Sequence, residues 1–383
     1  MISVAIKKIL EKIQYIVLLY TKGIEHKKNI FKMTNERFFC NTNKIIGWSG
    51  GHPSYGLLTP LVFSKPSAYA LTSKIMTLYQ WRPLPEMVNL AVSDICACAC
   101  DYCSFESMRK NKPVLRFEQW QKVIDQIQQL GASTLALTGG EPLENPDILR
   151  IIEYINKDHS QVIMFTSGYL LEQYAADLKK AGLTSVIVSL NATNAADHDA
   201  IKKKPGTFDS AIRGIKAARK AGLLVGIASV VYKKHLGTDH IQNIIEMGKS
   251  LKANQIIFFD SIPAGAHLED TGVIWNDQDV DRLIEICHEY HSKPNYPGVL
   301  AYSYINSYRS IGCYAGTIYF YVSPYGDVCP CDFCSFSVGN VLEEPVHVLW
   351  DRFSEHKEFQ RSSLSGCKMK DSAFRKKFAG VQE

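Results

Sequence analysis

Four cysteines fall within eight residues in the stretch SDICACACDYCSFES, Ser93 to Ser107. Thiols this close along one loop are badly placed for disulfide geometry. Metal ligation is the chemistry that suits them. The spacing Cys96-x3-Cys100-x2-Cys103 lets one short loop wrap a single iron–sulfur cubane. Three thiolates hold three irons and leave the fourth open, as a catalytic metal site keeps an exchangeable position. Cys98 is surplus to that pattern. As a replacement for Cys96 it would leave a single residue before Cys100.

A loop of this kind needs elements that hold it. The middle of the chain alternates apolar runs with amphipathic ones. MVNLAV, STLALT, QVIMFT, SVIVSL, LLVGIASVV and NQIIFFD read as strands, and helical patterns separate them. The helix after the cysteine loop ends at Gly131, and Asn145 is a plausible cap for the next. The strands are short and continuously apolar, so both faces are expected to be buried. That describes an α/β fold, a parallel sheet with crossover helices. About six such units make an open or closed barrel, with its chemistry on the loops after the strands. The cysteine loop follows the first strand, where such chemistry belongs.

Composition narrows the class. The chain has 383 residues, 46% hydrophobic and 21% charged, as in ordinary globular proteins. No apolar run reaches the ~18 residues of a spanning helix, and no signal peptide is evident. The eleven cysteines are clustered rather than spread as a staple framework. A reducing cytoplasm is expected. The net charge of +5 conceals an asymmetry: residues 1–85 hold twelve Lys and Arg against three Glu. Ile2, Ile6, Ile9, Ile13 and Ile16 repeat near helical spacing, with Lys7, Lys8, Glu11 and Lys12 on the other side. This helical extension either packs on the main domain or lies on an anionic membrane through residues 1–28. Nothing resembles a base-reading module, so no nucleic-acid role is expected.

The CxxxCxxC motif, GGEP at 139–142 and the run VSLNATNAADHDAIKKKPGTFDSAIRGIKAARKAGL match the radical SAM superfamily in order. The resemblance covers roughly residues 87–262. It implies a partial (β/α)6 barrel and a [4Fe–4S] cluster on Cys96, Cys100 and Cys103. It also implies that the open iron chelates the amino and carboxylate groups of S-adenosylmethionine, whose reductive cleavage gives a 5′-deoxyadenosyl radical. Tyr102 supplies the aromatic residue this family places before its third cysteine. Gly139 and Gly140 are expected to let backbone approach the ligand, and Glu141 to meet the ammonium group. Ser189 and Asn191 stand where the family contacts ribose or carboxylate. Ser167 occupies a position where many relatives have Asn, and Asn191 one where many have Asp.

The later stretch GCYAGTIYFYVSPYGDVCPCDFCSFSVGNVLEEPVHVLW resembles the SPASM/twitch extension of many such enzymes. That resemblance implies a small α+β domain in which Cys313, Cys331, Cys334 and Cys367 hold one auxiliary [4Fe–4S] cluster. A structural zinc ion would also accept four cysteines. Cys329 competes with Cys334 as a ligand, while Cys40 and Cys287 read as buried apolar thiols. The expected divisions are 1–85, 86–262, 263–305 and 306–383.

The resemblance implies a radical enzyme served by an electron donor such as flavodoxin or ferredoxin. It leaves the reaction type open between oxidoreductase, transferase and lyase. A small-molecule or lipid substrate is expected, with a ribosomally made peptide as the alternative. A non-catalytic iron–sulfur electron carrier would have no use for GGEP. No catalytic base declares itself; Asp260, Tyr302 and Tyr304 are candidates by position alone.

Overall fold

The computed structural model describes residues 44–80, 84–310, 312–359 and 366–379. The expected helix over residues 1–28, and Cys40, lie outside the described residues.

Seven parallel strands form the centre: β3 (Met87–Ser93), β4 (Thr134–Gly139), β5 (Gln161–Thr166), β6 (Ser185–Ser189), β7 (Leu224–Val231), β8 (Gln255–Asp260) and β9 (Gly298–Ala301). Helices fill the crossovers: α2 (Phe117–Leu130), α3 (Ile148–Tyr154), α4 (Leu171–Ala181), the pair α5 (Ala195–Lys202) and α6 (Thr207–Lys220), α7 (His240–Ser250) and α8 (Asp277–Ser292). The longer crossover helices each present an apolar stripe. In α2 it is Trp120, Val123, Ile124 and Ile127, spaced so that all four fall on one face. Gly131 ends α2 in the left-handed conformation, as its position predicts. Asp147 stands at the cap position of α3 without a side-chain cap bond, while Asn145 accepts the Asp147 amide at 2.8 Å through Oδ1 and donates to the Val92 carbonyl at 2.5 Å through Nδ2.

The sheet is larger than the expected barrel. Its order is β11-β10-β3-β4-β5-β6-β7-β8-β9, where β10 (Tyr319–Val322) runs parallel to β3 and β11 (Val328–Cys329) is antiparallel to β10. Strands from the cysteine-rich C-terminal part therefore extend the same sheet. The two edges, β9 and β11, do not pair, so the barrel stays open.

Side chains alternate across the sheet. Outward residues such as Val88, Leu90, Leu135 and Leu137 meet the helices. Inward residues Ala136, Ile163, Ile187, Ile257 and Leu300 meet Ile46, Leu57 and Leu61 from the N-terminal side. This plug carries the hairpin β1 (Gly47–Ser49) and β2 (His52–Ser54), followed by α1 (Lys65–Gln80). Inward glutamines strap it in place. Gln255 accepts the Leu57 amide at 2.9 Å, and Gln161 accepts the Leu61 amide at 3.0 Å. The N-terminal ends of the strands are thus closed, and the lumen opens only toward the strand C-termini. There Thr138, Phe165, Ser189, Ala228 and Phe259 are half-exposed, while Leu137, Met164, Val188, Ile227 and Phe258 before them are buried.

Candidate active site

The cysteine loop leaves the C-terminal end of β3 and is fastened to the next strand. The Gly140 amide donates to the Ser93 carbonyl at 2.7 Å, and the Glu141 amide to the Ile95 carbonyl at 2.7 Å. Gly139 adopts a φ of 131°, and a Cβ there would fall onto the Ser93 carbonyl. A Cβ on Gly140 would fall onto the Ile95 carbonyl. The structure adds a second reason for the glycines: GGEP closely approaches the base of the cysteine loop. Gly265, from the loop after β8, makes a similar approach to the Cys103 carbonyl.

Glu141 is held by that fastening. It is 3% exposed. Its Oε1 accepts from Thr166 Oγ1 at 2.6 Å and from the Leu143 amide at 3.3 Å. Its Oε2 accepts from Ser167 Oγ at 2.6 Å and the Ser167 amide at 2.8 Å. All four donors are neutral. The structure places Ser167 as a support for Glu141. A buried carboxylate without a cation is an electrostatic demand that an ammonium group meets.

Opposite lies a buried polar lattice. Asn191 Nδ2 donates to the Tyr102 hydroxyl at 2.7 Å, while its Oδ1 accepts the Val230 amide at 2.8 Å. Tyr102 and Ser189 hydroxyls are 3.2 Å apart. Sequence reasoning missed the residue that joins them. Lys202, the last residue of α5, is 2% exposed. Its ammonium donates to Ser189 Oγ at 2.7 Å and to the Tyr102 hydroxyl at 2.9 Å. Its carbonyl also accepts the Ala99 amide of the cysteine loop at 3.1 Å. Burial alone would lower this lysine, but the fields of Tyr102 and Cys100 outweigh it and hold the ammonium above its ordinary pKa. The signal in the sequence was the three-lysine run at the helix end, whose first member turns inward.

Four thiols gather here. Cys98 hydrogen-bonds both Cys96 and Cys100. Its bond, with the Lys202 charge behind it, holds Cys100 down at about 6 despite burial. Cys98 itself is pushed up by the same bonds and by burial. Burial raises Cys103. The surplus Cys98 thus lies among the thiols of the motif.

The second thiol group forms around β10 and β11. Cys331 lies in the field of Cys334, Cys367 and Cys313, and Cys334 and Cys367 each lie in that of Cys313. Cys331 and Cys334 pair across a tight turn. Cys329 packs with Ala91, Phe105, Met108, Tyr321 and Cys103, and it also lies in the field of Cys334. Cys287 lies on the buried face of α8. Among the described residues no three His, Cys, Asp or Glu groups stand close enough to hold a single ion.

An aromatic wall runs across the opening between β9 and β10. Phe259 and Tyr302 ring centroids are 4.5 Å apart, Tyr302 and Tyr314 6.3 Å, and Tyr314 and Tyr319 5.5 Å. The wall ends where the Tyr319 hydroxyl donates to Asp332, the neighbour of Cys331. Burial pushes the Asp332 carboxyl up, against that hydrogen bond. Of the acid–base candidates, Asp260 is paired with Lys370 at 2.7 Å, Tyr302 belongs to the wall, and Tyr304 lies edge-on to His288.

Comparison with known proteins agrees with this geometry. Residues 90–248 match the radical SAM superfamily, and residues 313–371 match SPASM, an iron–sulfur cluster-binding domain. The AdoMet-dependent heme synthase of Methanosarcina barkeri is 27% identical over 292 residues, covering 70% of this chain and 82% of that protein. The antilisterial bacteriocin subtilosin biosynthesis protein AlbA of Bacillus subtilis is 26% identical over 304 residues, covering 74% and 66%. In fold, the chain resembles Streptococcus suis SuiB bound to precursor peptide SuiA, with a TM-score of 0.60 at 16% identity over 74% of this chain and 69% of that one. The chain belongs to the radical SAM superfamily and carries a SPASM domain. It is an enzyme whose cofactors are S-adenosylmethionine, a [4Fe–4S] cluster and auxiliary iron–sulfur ligation in the SPASM part. No helix among the described residues is long and apolar enough to cross a membrane.

The glycine fastening makes one prediction. Gly140→Ala removes no thiol, yet it forces the cysteine loop away from GGEP. Iron retained after anaerobic reconstitution should fall by about half relative to the wild-type chain, as one of two four-iron clusters is lost. Full iron content would show that the loop tolerates the displacement.

Proposed function

We propose that this chain is a hydrogen-removing radical enzyme acting on a peptide, with Asp332 as the acceptor of the substrate proton. The observation that carries it is the pairing of two features at one lumen. The cysteine loop stands over the C-terminal ends of the strands, and a half-buried carboxylate beside the second thiol group ends the aromatic wall. The bound cofactors supply a hydrogen-abstracting radical at the first site and an electron sink at the second. Every other task falls to the chain. Cys96, Cys100 and Cys103 hold the first cluster, and Cys313, Cys331, Cys334 and Cys367 hold one auxiliary cluster. Glu141 takes the ammonium end of S-adenosylmethionine. Lys202, with two of its three N–H groups committed to Tyr102 and Ser189, directs the third toward the carboxylate. The plug over residues 44–61 keeps water out from below. Asp332 takes the proton that leaves with the abstracted hydrogen atom and the electron, so the substrate loses two hydrogens in all.

The peptide reading is supported by the similarity to AlbA. The expected small-molecule or lipid substrate is the second reading, favoured by the similarity to a heme synthase. Anaerobic protein with S-adenosylmethionine and dithionite should form 5′-deoxyadenosine above its basal rate when given a cellular peptide fraction. A response to a lipid or tetrapyrrole fraction alone would replace the peptide reading. With the stimulating fraction, Asp332→Asn should keep forming 5′-deoxyadenosine while the two-hydrogen mass loss slows at least ~10²-fold. Unslowed mass loss would remove Asp332 from the mechanism.

The ligand sets have their own tests. Reconstituted protein should carry about eight irons, and the Cys96, Cys100, Cys103 triple Ala variant about half. Stoichiometric zinc in place of the second half would make that site structural. Cys98→Ala should keep most 5′-deoxyadenosine formation, whereas Cys96→Ala should abolish it.

Glu141→Gln preserves shape and removes the charge. A charge-assisted hydrogen bond contributes roughly 1.5–3 kcal/mol. S-adenosylmethionine should therefore bind about tenfold more weakly or worse. Equal affinity would assign the ammonium group to another residue.

A further inference from the structure

The end of the barrel opposite the thiols carries a face that the proposed chemistry does not use. Its centre is the plug and the start of α1. Four of the nine large apolar side chains exposed among the described residues come from this one segment: Ile45, Trp48, Phe63 and Tyr69. Trp48, at the hairpin, is 57% exposed. Hydrogen bonds bring Trp48 and Phe63 onto neighbouring chains. Trp48 pairs with Pro53 across β1 and β2, and the Pro53 carbonyl accepts the Val62 amide at 2.9 Å. Phe63 follows with a φ of 65°, a left-handed conformation that bulky residues seldom adopt. Strained backbone of this kind clusters at functional positions.

A basic border surrounds the plug. The crossover helices run against the strands, so their C-terminal ends lie at this end of the sheet. There α4 closes with Lys179 and Lys180, α6 with Arg219 and Lys220, and α7 with Lys249, followed by Lys252. The plug meets this level directly. Asn254 donates to the Ile46 carbonyl at 2.7 Å, and the Lys44 ammonium donates to the Lys293 and Tyr296 carbonyls at 2.7 and 2.6 Å. Asp158, Glu246 and Glu289 pair with Lys65, Lys249 and Lys293. Among the described residues no carboxylate pairs with Lys179, Lys180, Lys220 or Lys252. Residues 37–85 contain five Lys and Arg and no Asp or Glu.

Helix dipoles favour lysine at helix C-termini, but they give no reason for exposed tryptophan and phenylalanine between those ends. Apolar and aromatic side chains bordered by unpaired cations match the boundary of an anionic bilayer, where rings sit at headgroup level and lysines meet lipid phosphates. A polyanion without an apolar layer would use the lysines alone. We propose that this face docks on an anionic lipid bilayer, with Trp48 and Phe63 entering the headgroup boundary. Docked in this way, the thiol-bearing opening points away from the bilayer, and substrate enters from the aqueous side. The proposal is independent of the role given to Asp332 and of the substrate class.

Co-sedimentation of the full chain with mixed phosphatidylcholine–phosphatidylglycerol vesicles tests it, with pure phosphatidylcholine vesicles as the neutral probe. The mixed vesicles should bind at least ~10-fold more tightly than the neutral ones. That preference should disappear between about 0.01 M and about 1 M salt, as the Debye length falls from ~30 Å to ~3 Å. Reversing three border charges together, Lys180→Glu, Lys220→Glu and Lys252→Glu, should weaken binding to the mixed vesicles at least ~10²-fold. Iron content and basal 5′-deoxyadenosine formation should stay unchanged in that variant. Trp48→Ser combined with Phe63→Asn should weaken vesicle binding at least ~10-fold with iron content kept; should this variant lose iron, the charge variant decides. No binding to mixed vesicles at low salt would overturn the proposal. Wild-type binding by both variants would also overturn it, by moving the lipid contact to residues 1–43. Duplex RNA that displaces the mixed vesicles at equal phosphate concentration would make the face a polyanion site instead.

Discussion

Two backbone hydrogen bonds hold the active site together: Gly140 to the Ser93 carbonyl and Glu141 to the Ile95 carbonyl. They exist because two successive residues lack a Cβ, so two strand ends come closer than any other side chain permits. The β3–β4 register shifts between Ala91 and Ser93, just where this happens. The shift turns the chain after Ser93 over the lumen. The thiols of 96–103 then stand above the strand ends, and Glu141 swings under Thr166 and Ser167. One local constraint thus places both the thiols of the motif and the buried carboxylate of Glu141.

The opposite rim works by a different balance. Burying an ammonium costs several kcal/mol unless partners replace its hydration. Lys202 has those partners in Ser189 and Tyr102, and the thiols beside them add a negative field. Tyr102 is therefore more than an aromatic spacer before Cys103. Its hydroxyl is the junction at which the cysteine loop, β6 and α5 meet. The rim pairs a fixed positive group with the fixed negative Glu141 across the site. That separation suits a zwitterionic ligand and orients it before any chemistry begins.

How much of this was legible in the sequence follows from the range of each signal. Cys96, Cys100, Cys103 and GGEP are local patterns with a local task, and the alternation of apolar strands and helices is set by period. These carried the fold and the proposed first site. Lys202 was not legible, because a lysine in a KKK run looks like solvated surface until the helix end is placed. Asp332 was masked by its cysteine neighbours. The fit of the two glycines against the Ser93 and Ile95 carbonyls was not legible either, because it follows from how β3 and β4 pair. Non-local pairing, such as β10 beside β3, has no signature in either segment alone.

That pairing has a mechanical consequence. Because β10 joins the edge of β3, the two thiol groups share one sheet instead of meeting across a mobile domain boundary. Further bonds reinforce the join: Lys110 to Asp327 at 2.7 Å, the Leu115 amide to the Pro324 carbonyl at 2.7 Å, and the Tyr325 hydroxyl to Asp94 at 3.3 Å. Asp94 directly precedes the loop that holds the first thiols, and Tyr325 and Asp327 lie in the turn that leads to the second. Surface ion pairs such as Lys110–Asp327 contribute little by themselves. The shared sheet, with its buried ladder, is what fixes the distance. The proposed removal of a hydrogen atom beside one thiol group and a proton beside the other depends on that distance staying constant.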